Sequence, residues 1–170
     1  KSFYLECLGV EVRCLVGIIK ALLLAKKELE RNVKEVGAED EDVRLLRSFP
    51  GIDYVIAATL LSEIGNIERF EKESCLSSYC GVSPAMWQSG TSAVKAKRRK
   101  RYNRRLKGIL FFISLSQIRL NPESRDYYWR KRKEGKTHWQ AMNALSRQLI
   151  KIIYYILTNR ECYRRERIVH

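Results

Sequence analysis

Apolar residues recur at alternating steps of three and four from the start of the chain. Leu5, Leu8, Val12, Leu15, Ile19, Leu22, Leu29, Val33 and Val36 keep the rhythm, and Lys26 is the one polar interruption. That is the a/d spacing of a coiled-coil seam, held for about four heptads. A helix packed on its own domain has the same period, and Gly9 and Gly17 inside the stretch argue for it. Both readings stay open at this level. Gly37 and the acidic run Glu39 to Asp42 then read as a helix end and a loop. The expected organisation is a coiled-coil-like helix over residues 1–40, for linkage or dimerisation, and a helical domain over 41–170.

Beyond the acidic run, two short helices are expected around the turn Ser48-Phe49-Pro50-Gly51-Ile52-Asp53. Ile56, Leu60 and Ile64 form one stripe, closed by Gly65. With Pro50 and Gly51 at its turn, the pair resembles a helix-hairpin-helix, in which N–H groups at the second helix start hold a DNA phosphate. Asp53 stands where that motif usually has a second glycine, and a carboxylate there caps a helix but repels phosphate. A further short helix is expected before Gly81 and Pro84, then a loop over 85–100. From Tyr102 a strong helix follows, with Leu106, Ile109, Leu110, Ile113 and Gln117 inward, ending at Asn121-Pro122. Another ends at Gly135. The last buries Ala141, Leu145, Leu149, Ile152, Ile153 and Ile156. No segment alternates as a strand does, so the fold is expected to be all-α.

Charge changes the picture. The net charge is +14 over 170 residues, but residues 1–50 balance and residues 94–170 carry 22 basic against five acidic side chains. Such a field gathers polyanions and speeds their capture, so nucleic acid is the leading partner. The 45% hydrophobic share supports a packed core. No run of 18 apolar residues exists, so no membrane span is expected. The opening residues have neither a starter Met nor a signal-peptide layout, which reads as a piece of a longer protein. Five scattered cysteines without a CxxC pair, beside only two histidines, give poor support for zinc and point to buried thiols in a reducing cytosol.

The chemistry concentrates in WQSGTSAVKAKRRKRYNRRLKG, residues 87–108, where a small flexible turn leads into nine cations with no acid among them. Lys95, Lys97, Arg98, Arg99, Lys100, Arg101, Arg104 and Arg105 are the clearest candidate phosphate contacts. Arg130, Lys131, Arg132, Lys133 and Lys136 form a second candidate patch. Trp87 can stack on a base or pack in the core. Tyr127, Tyr128 and Trp129 are expected to be partly core, and His138 is a weak general-base candidate. Ser89 precedes Gly90, and a missing side chain at 90 leaves the hydroxyl room to approach a phosphate, with Thr91 as further loop support. Neighbouring cations would steady the charge of a transition state. The acids Asp53, Glu63, Glu68, Glu71 and Glu73 do not pair at metal-binding spacing.

Several ordered blocks carry a more specific signal. FPGIDYVIAATLLSEIGNIERF, LSSYCGVSP, SG, KRYN, NPESRDYY and RKRKEGKTHWQAMNALSRQLIKIIYYIL, spread over roughly 43–158, resemble the C-terminal half of insertion-sequence transposases of the IS110 family, with relatives IS116 and IS902. The resemblance implies a DNA recombinase in which a RuvC-like domain supplies DEDD carboxylates for Mg2+, with no metal held by these residues. It implies a serine nucleophile in the loop after the Gly81-Val82-Ser83-Pro84 block, here Ser89. It also implies donor and target DNA, a guide RNA as a second ligand, a homo-oligomer, dimer or tetramer, paired through the coiled coil, and a cytoplasmic, nucleoid-associated prokaryotic setting. A chain without the DEDD domain is expected to be inactive alone. Two departures stand out: Gly90-Thr91 replaces a frequent Gly-Gly, and Lys100-Arg101-Tyr102-Asn103 replaces Lys-Arg-Gly-Asn. The alternatives are a non-catalytic nucleic-acid-binding module and a structural dimerisation domain.

Overall fold

The computed structural model describes residues 2–83 and 101–164, and among them every regular element is a helix. In order these are α1 (Ser2–Ala38), α2 (Glu41–Arg47), α3 (Tyr54–Ile64), a 3₁₀ turn (Ile67–Arg69), α4 (Glu73–Tyr79), α5 (Arg104–Leu120), α6 (Pro122–Lys133) and α7 (His138–Asn159). The all-α expectation holds, and so do the two short helices around the Pro50-Gly51 turn.

Side-chain caps mark where the helices start. Asp40 accepts from the Val43 N–H at 3.0 Å, Asp53 from Ile56 at 2.8 Å and Asn103 from Leu106 at 3.0 Å. Thr137 and Gln140 close a reciprocal capping box at the head of α7. Asn121 serves twice: it ends α5 through its N–H to the Gln117 carbonyl and starts α6 by accepting from Glu123, with Pro122 in the first turn, where its missing N–H costs nothing.

α7 is the spine. Leu149, Ile150, Ile153 and Ile156 on its buried face share one core with Leu46 and Phe49 from the α2 side, Leu60 and Ile64 of α3, Leu76 of α4, and Leu106, Leu110 and Ile113 of α5. Ile109 and Ile152 pack at the edge of this core. A smaller cluster of Tyr128, Ala141 and Met142 seats α6, with Phe111, Leu115 and Ile118 against it. Inside the α5–α7 contact the Ser114 and Ser146 hydroxyls bond each other at 2.9 Å, which satisfies two buried polar groups at once. Of the three aromatics expected to be partly core, Tyr128 is buried, Tyr127 half-buried and Trp129 exposed.

α1 behaves differently. Its C-terminal end packs on α2 and α3, with Gly37 buried and Val33 half-buried. Leu8, Val12, Leu15, Ile19, Leu22 and Leu29 of the heptad seam are all exposed. For a helix of 37 residues, about 55 Å long, most of the apolar face therefore has no cover from the described chain. The thiols also depart from expectation. Cys80 is buried, and desolvation pushes its pKa up to about 12, but Cys7, Cys14, Cys75 and Cys162 are exposed. The last two lie outside the helical stripes that pack on α7, so scattered spacing did not imply burial.

The core and the caps make separable predictions. Leu149→Ala should lower unfolding free energy by about 2–5 kcal/mol, through lost burial and a residual cavity. Asp53→Ala should cost about 1 kcal/mol. Urea denaturation followed by circular dichroism distinguishes the two.

Candidate nucleic-acid interface

The candidate nucleophile Ser89, its loop supports Gly90 and Thr91, Trp87, and the cations Lys95, Lys97, Arg98, Arg99 and Lys100 lie outside the described residues. What the structure shows is how the chain leaves the fold before them and rejoins it after them. α4 ends at Tyr79 with Cys80 as its cap, and Gly81 follows at φ +70°, a left-handed conformation that glycine adopts freely. A Cβ at Gly81 would lie 2.5 Å from Cγ of Tyr102, so the tyrosine ring sits directly on the glycine. The Lys107 ammonium donates to the Gly81 carbonyl at 3.0 Å and lies 4.6 Å from the centre of the Tyr102 ring. Tyr102 thus occupies space that Gly81 leaves open.

One residue further, Asn103 gathers three helices. Its N–H donates to the Tyr79 carbonyl at 2.8 Å. Its side-chain oxygen caps α5, and its side-chain amide donates to Oε2 of Glu63 at 2.7 Å. The other oxygen of Glu63 pairs with Arg105 at 2.9 Å. The phenol of Tyr79 lies 3.4 Å from both the Asn103 amide nitrogen and the Glu63 carbonyl. Hydrogen bonds from Asn103 and Arg69 hold the Tyr79 phenol below its ordinary pKa. Arg69 stacks 4.7 Å from the ring centre of Tyr79.

The described cations divide into free and committed groups. Arg101 borders an open groove of about 500 Å3 with Ser74, Cys75, Ser78 and Tyr79. The Arg104 side chain is exposed and makes no hydrogen bond or ion pair with a described residue. Arg105 is exposed but paired with Glu63. On α6, Arg130 lies over the Tyr127 ring at 5.1 Å, and Arg132 donates to the Lys136 carbonyl at 2.7 Å. Lys131 and Lys136 both bond Glu134, whose carboxyl is held down to about 2 by those two ammonium groups. Lys133 shares a shallow groove with Glu123, Asp126 and Trp129. The second patch is therefore partly self-neutralised.

The Pro50-Gly51 turn faces α5. The buried Gln117 donates to the Pro50 carbonyl, and a Cβ on Gly51, at φ +85°, would lie 2.9 Å from Oγ of Ser116. Asp53 occupies the Ile56 N–H in the first turn of α3. His138 accepts from or donates to the Tyr128 hydroxyl through Nδ1 at 2.8 Å, a structural bond at the edge of the small core. Among the described residues no three His, Cys, Asp or Glu side chains cluster as metal ligands, and no helix is long and apolar enough to cross a membrane. Sequence spacing did not single out Glu63, Tyr79 and Asn103 as a group. Asn103 did carry a cap signal, a polar residue just before a periodic apolar stretch.

Comparison with known proteins decides the family. A profile described as the Transposase IS116/IS110/IS902 family matches residues 43–129. The chain belongs to that family. It is 30% identical to the 44.8 kDa protein of insertion element IS116 from Streptomyces clavuligerus over 81% of its length. It is 31% identical to the 43.6 kDa protein of IS110 from Streptomyces coelicolor over 92% of its length. It is 29% identical over 81% to the transposase for insertion sequence element IS1111A of Coxiella burnetii. The matches cover 34%, 38% and 38% of those relatives' own lengths, so the chain corresponds to a part of each. In this transposase family member the matched region contains Glu63, Tyr79, Gly81, Tyr102 and Asn103 and the sequence between Gly81 and Tyr102.

If the basic surface contacts phosphate, the free and committed cations should differ in salt dependence. Arg104→Gln should flatten the slope of log K against log salt by about 1, whereas Arg105→Gln should change it little. Glu134→Gln, by releasing Lys131 and Lys136, should steepen it. Fluorescence anisotropy with a labelled duplex at several salt concentrations reads all three.

Proposed function

We propose that this chain supplies the nucleophilic serine and much of the DNA-holding surface of an insertion-sequence transposase. The observation that supports it best is the joint formed by Glu63, Tyr79, Gly81, Tyr102 and Asn103. Family-matched residues place a Ser-Gly pair and a run of cations in one segment, and both ends of that segment are fastened at Gly81, Tyr102 and Asn103. A hydroxyl that must meet phosphorus gains from such fixed ends, because orientation makes up a large part of catalysis by proximity. Ser89 Oγ bonds to a DNA phosphorus as the bond from phosphorus to one sugar oxygen breaks. The hydroxyl proton is lost and the departing oxygen takes one up. The new phosphoester keeps the bond energy for rejoining a second strand. Cations around the segment stabilise the added charge.

Magnesium does not fit Glu63 or Asp53. Both oxygens of Glu63 are committed to Arg105 and Asn103, and Asp53 caps α3. A metal would be held by carboxylates outside these residues, as the family resemblance implies. The exposed seam of α1 supports pairing of protomers through a coiled coil, because an apolar stripe of this length is otherwise left in water. DNA is the main ligand of the basic surface and a structured RNA a second one. The other reading, a binding module without chemistry, draws support from the Pro50-Gly51 turn. That turn is tied to α5 instead, with its helix start capped by Asp53.

Two tests follow. In the full-length protein, Ser89→Ala should abolish covalent protein–DNA adducts on denaturing gels while DNA affinity stays within about twofold of wild type. Persistent adducts would assign the chemistry to another group and reject Ser89. Replacing Leu15 and Leu22 together by Lys should convert the associated protein to a smaller species in sedimentation velocity, since charges in an a/d seam oppose pairing.

A further inference from the structure

Glu63 is unusual on three counts. It lies in the last turn of α3, where the helix dipole disfavours a carboxylate. Its side chain is only 17% exposed, and both its oxygens are taken, by Asn103 at 2.7 Å and by Arg105 at 2.9 Å. It is also the one acid that the described part of the cationic segment touches, across about 40 residues of chain. A pair whose partner is as exposed as Arg105 adds little to stability. Asn103, moreover, keeps its cap to Leu106 and its N–H bond to Tyr79 without Glu63. The contact therefore contributes to position more than to folding.

We propose that Glu63 is a positioning residue for the reaction, holding Asn103 and Arg105 so that the cationic segment rejoins the fold at one fixed place beside the end of α4. This rests on the reading of Ser89 as nucleophile. Glu63 touches no reacting atom. It acts through Asn103, which fixes the chain, and through Arg105, whose guanidinium it orients. The Tyr79 hydroxyl, at 3.4 Å from each neighbour, is a weaker member of the set.

The experiment is a single-turnover rate of adduct formation by full-length protein, prepared with its element's RNA and saturated with labelled duplex spanning an element end. Affinity and melting temperature are measured on the same preparations. Glu63→Ala should slow the step by about 10- to 100-fold, as a displacement near 1 Å does, with affinity undiminished because Arg105 is freed. Glu63→Gln keeps an acceptor for the Asn103 amide and should recover the rate to within about threefold. Asn103→Ser retains a cap for α5 but loses the reach to Glu63, so it should reproduce the slow rate in a folded protein. Tyr79→Phe should react within about threefold of wild type.

Rates for Glu63→Ala and Asn103→Ser within threefold of wild type would overturn the assignment. So would a rate loss that tracks a fall in melting temperature and is not recovered by Glu63→Gln. If Ser89→Ala abolishes adducts while those two variants react normally, only the role of Glu63 falls. If Ser89→Ala still forms adducts, the nucleophile reading and this inference fall together.

Discussion

Asn103 has four hydrogen-bonding groups, and all four are engaged, among them bonds that reach α3, α4 and α5. The backbone N–H reaches α4, the side-chain oxygen starts α5 and the side-chain amide meets Glu63 of α3. Remove this convergence and α3, α4 and α5 would still share a hydrophobic core, because Leu60, Leu76 and Leu106 are buried regardless. Apolar contact alone, however, is tolerant of small slides. Directional bonds from one short side chain are not, and they lie where the chain re-enters after its most cationic stretch. Packing sets the domain, and Asn103 sets the register of the edge where the cationic segment returns.

The same division between apolar bulk and polar detail explains what the residue pattern reveals. Helices α5 and α7 are legible because their stripes recur every three or four residues over many turns, and Asn121-Pro122 and Gly135 punctuate them. The inward Gln117 is legible as a position but not as a role: nothing local says that it will serve a carbonyl at Pro50, 67 residues earlier. Glu63 is the sharper case. By spacing it is one surface acid among several, and only the close approach of α3 to the start of α5 gives it two donors. Charge counting has a similar limit. Five cations near the end of α6 look like one patch, until Glu134 is seen to hold two of them.

The heptad seam of α1 is the opposite situation. Its sequence speaks plainly, and the described fold leaves it uncovered beyond the last turns. A pattern this regular without an internal partner is unlike the stripe of α7, whose every turn meets another helix. Arg160 illustrates how firmly that other stripe is terminated. It takes a left-handed conformation at φ 53° and binds Glu41 and Asp42, tying the end of α7 to the start of α2.

Asn121 has a consequence for how such a protein can change over evolutionary time. Since one residue both closes α5 and opens α6, there is no slack between the two rods. Adding or deleting a single position there would turn α6 by about 100° about its axis. Tyr128 would swing out of its seat and the Arg130–Lys136 face would point elsewhere. Side chains along this elbow can drift, whereas its length is frozen, and natural relatives should show substitutions but no gaps at that joint.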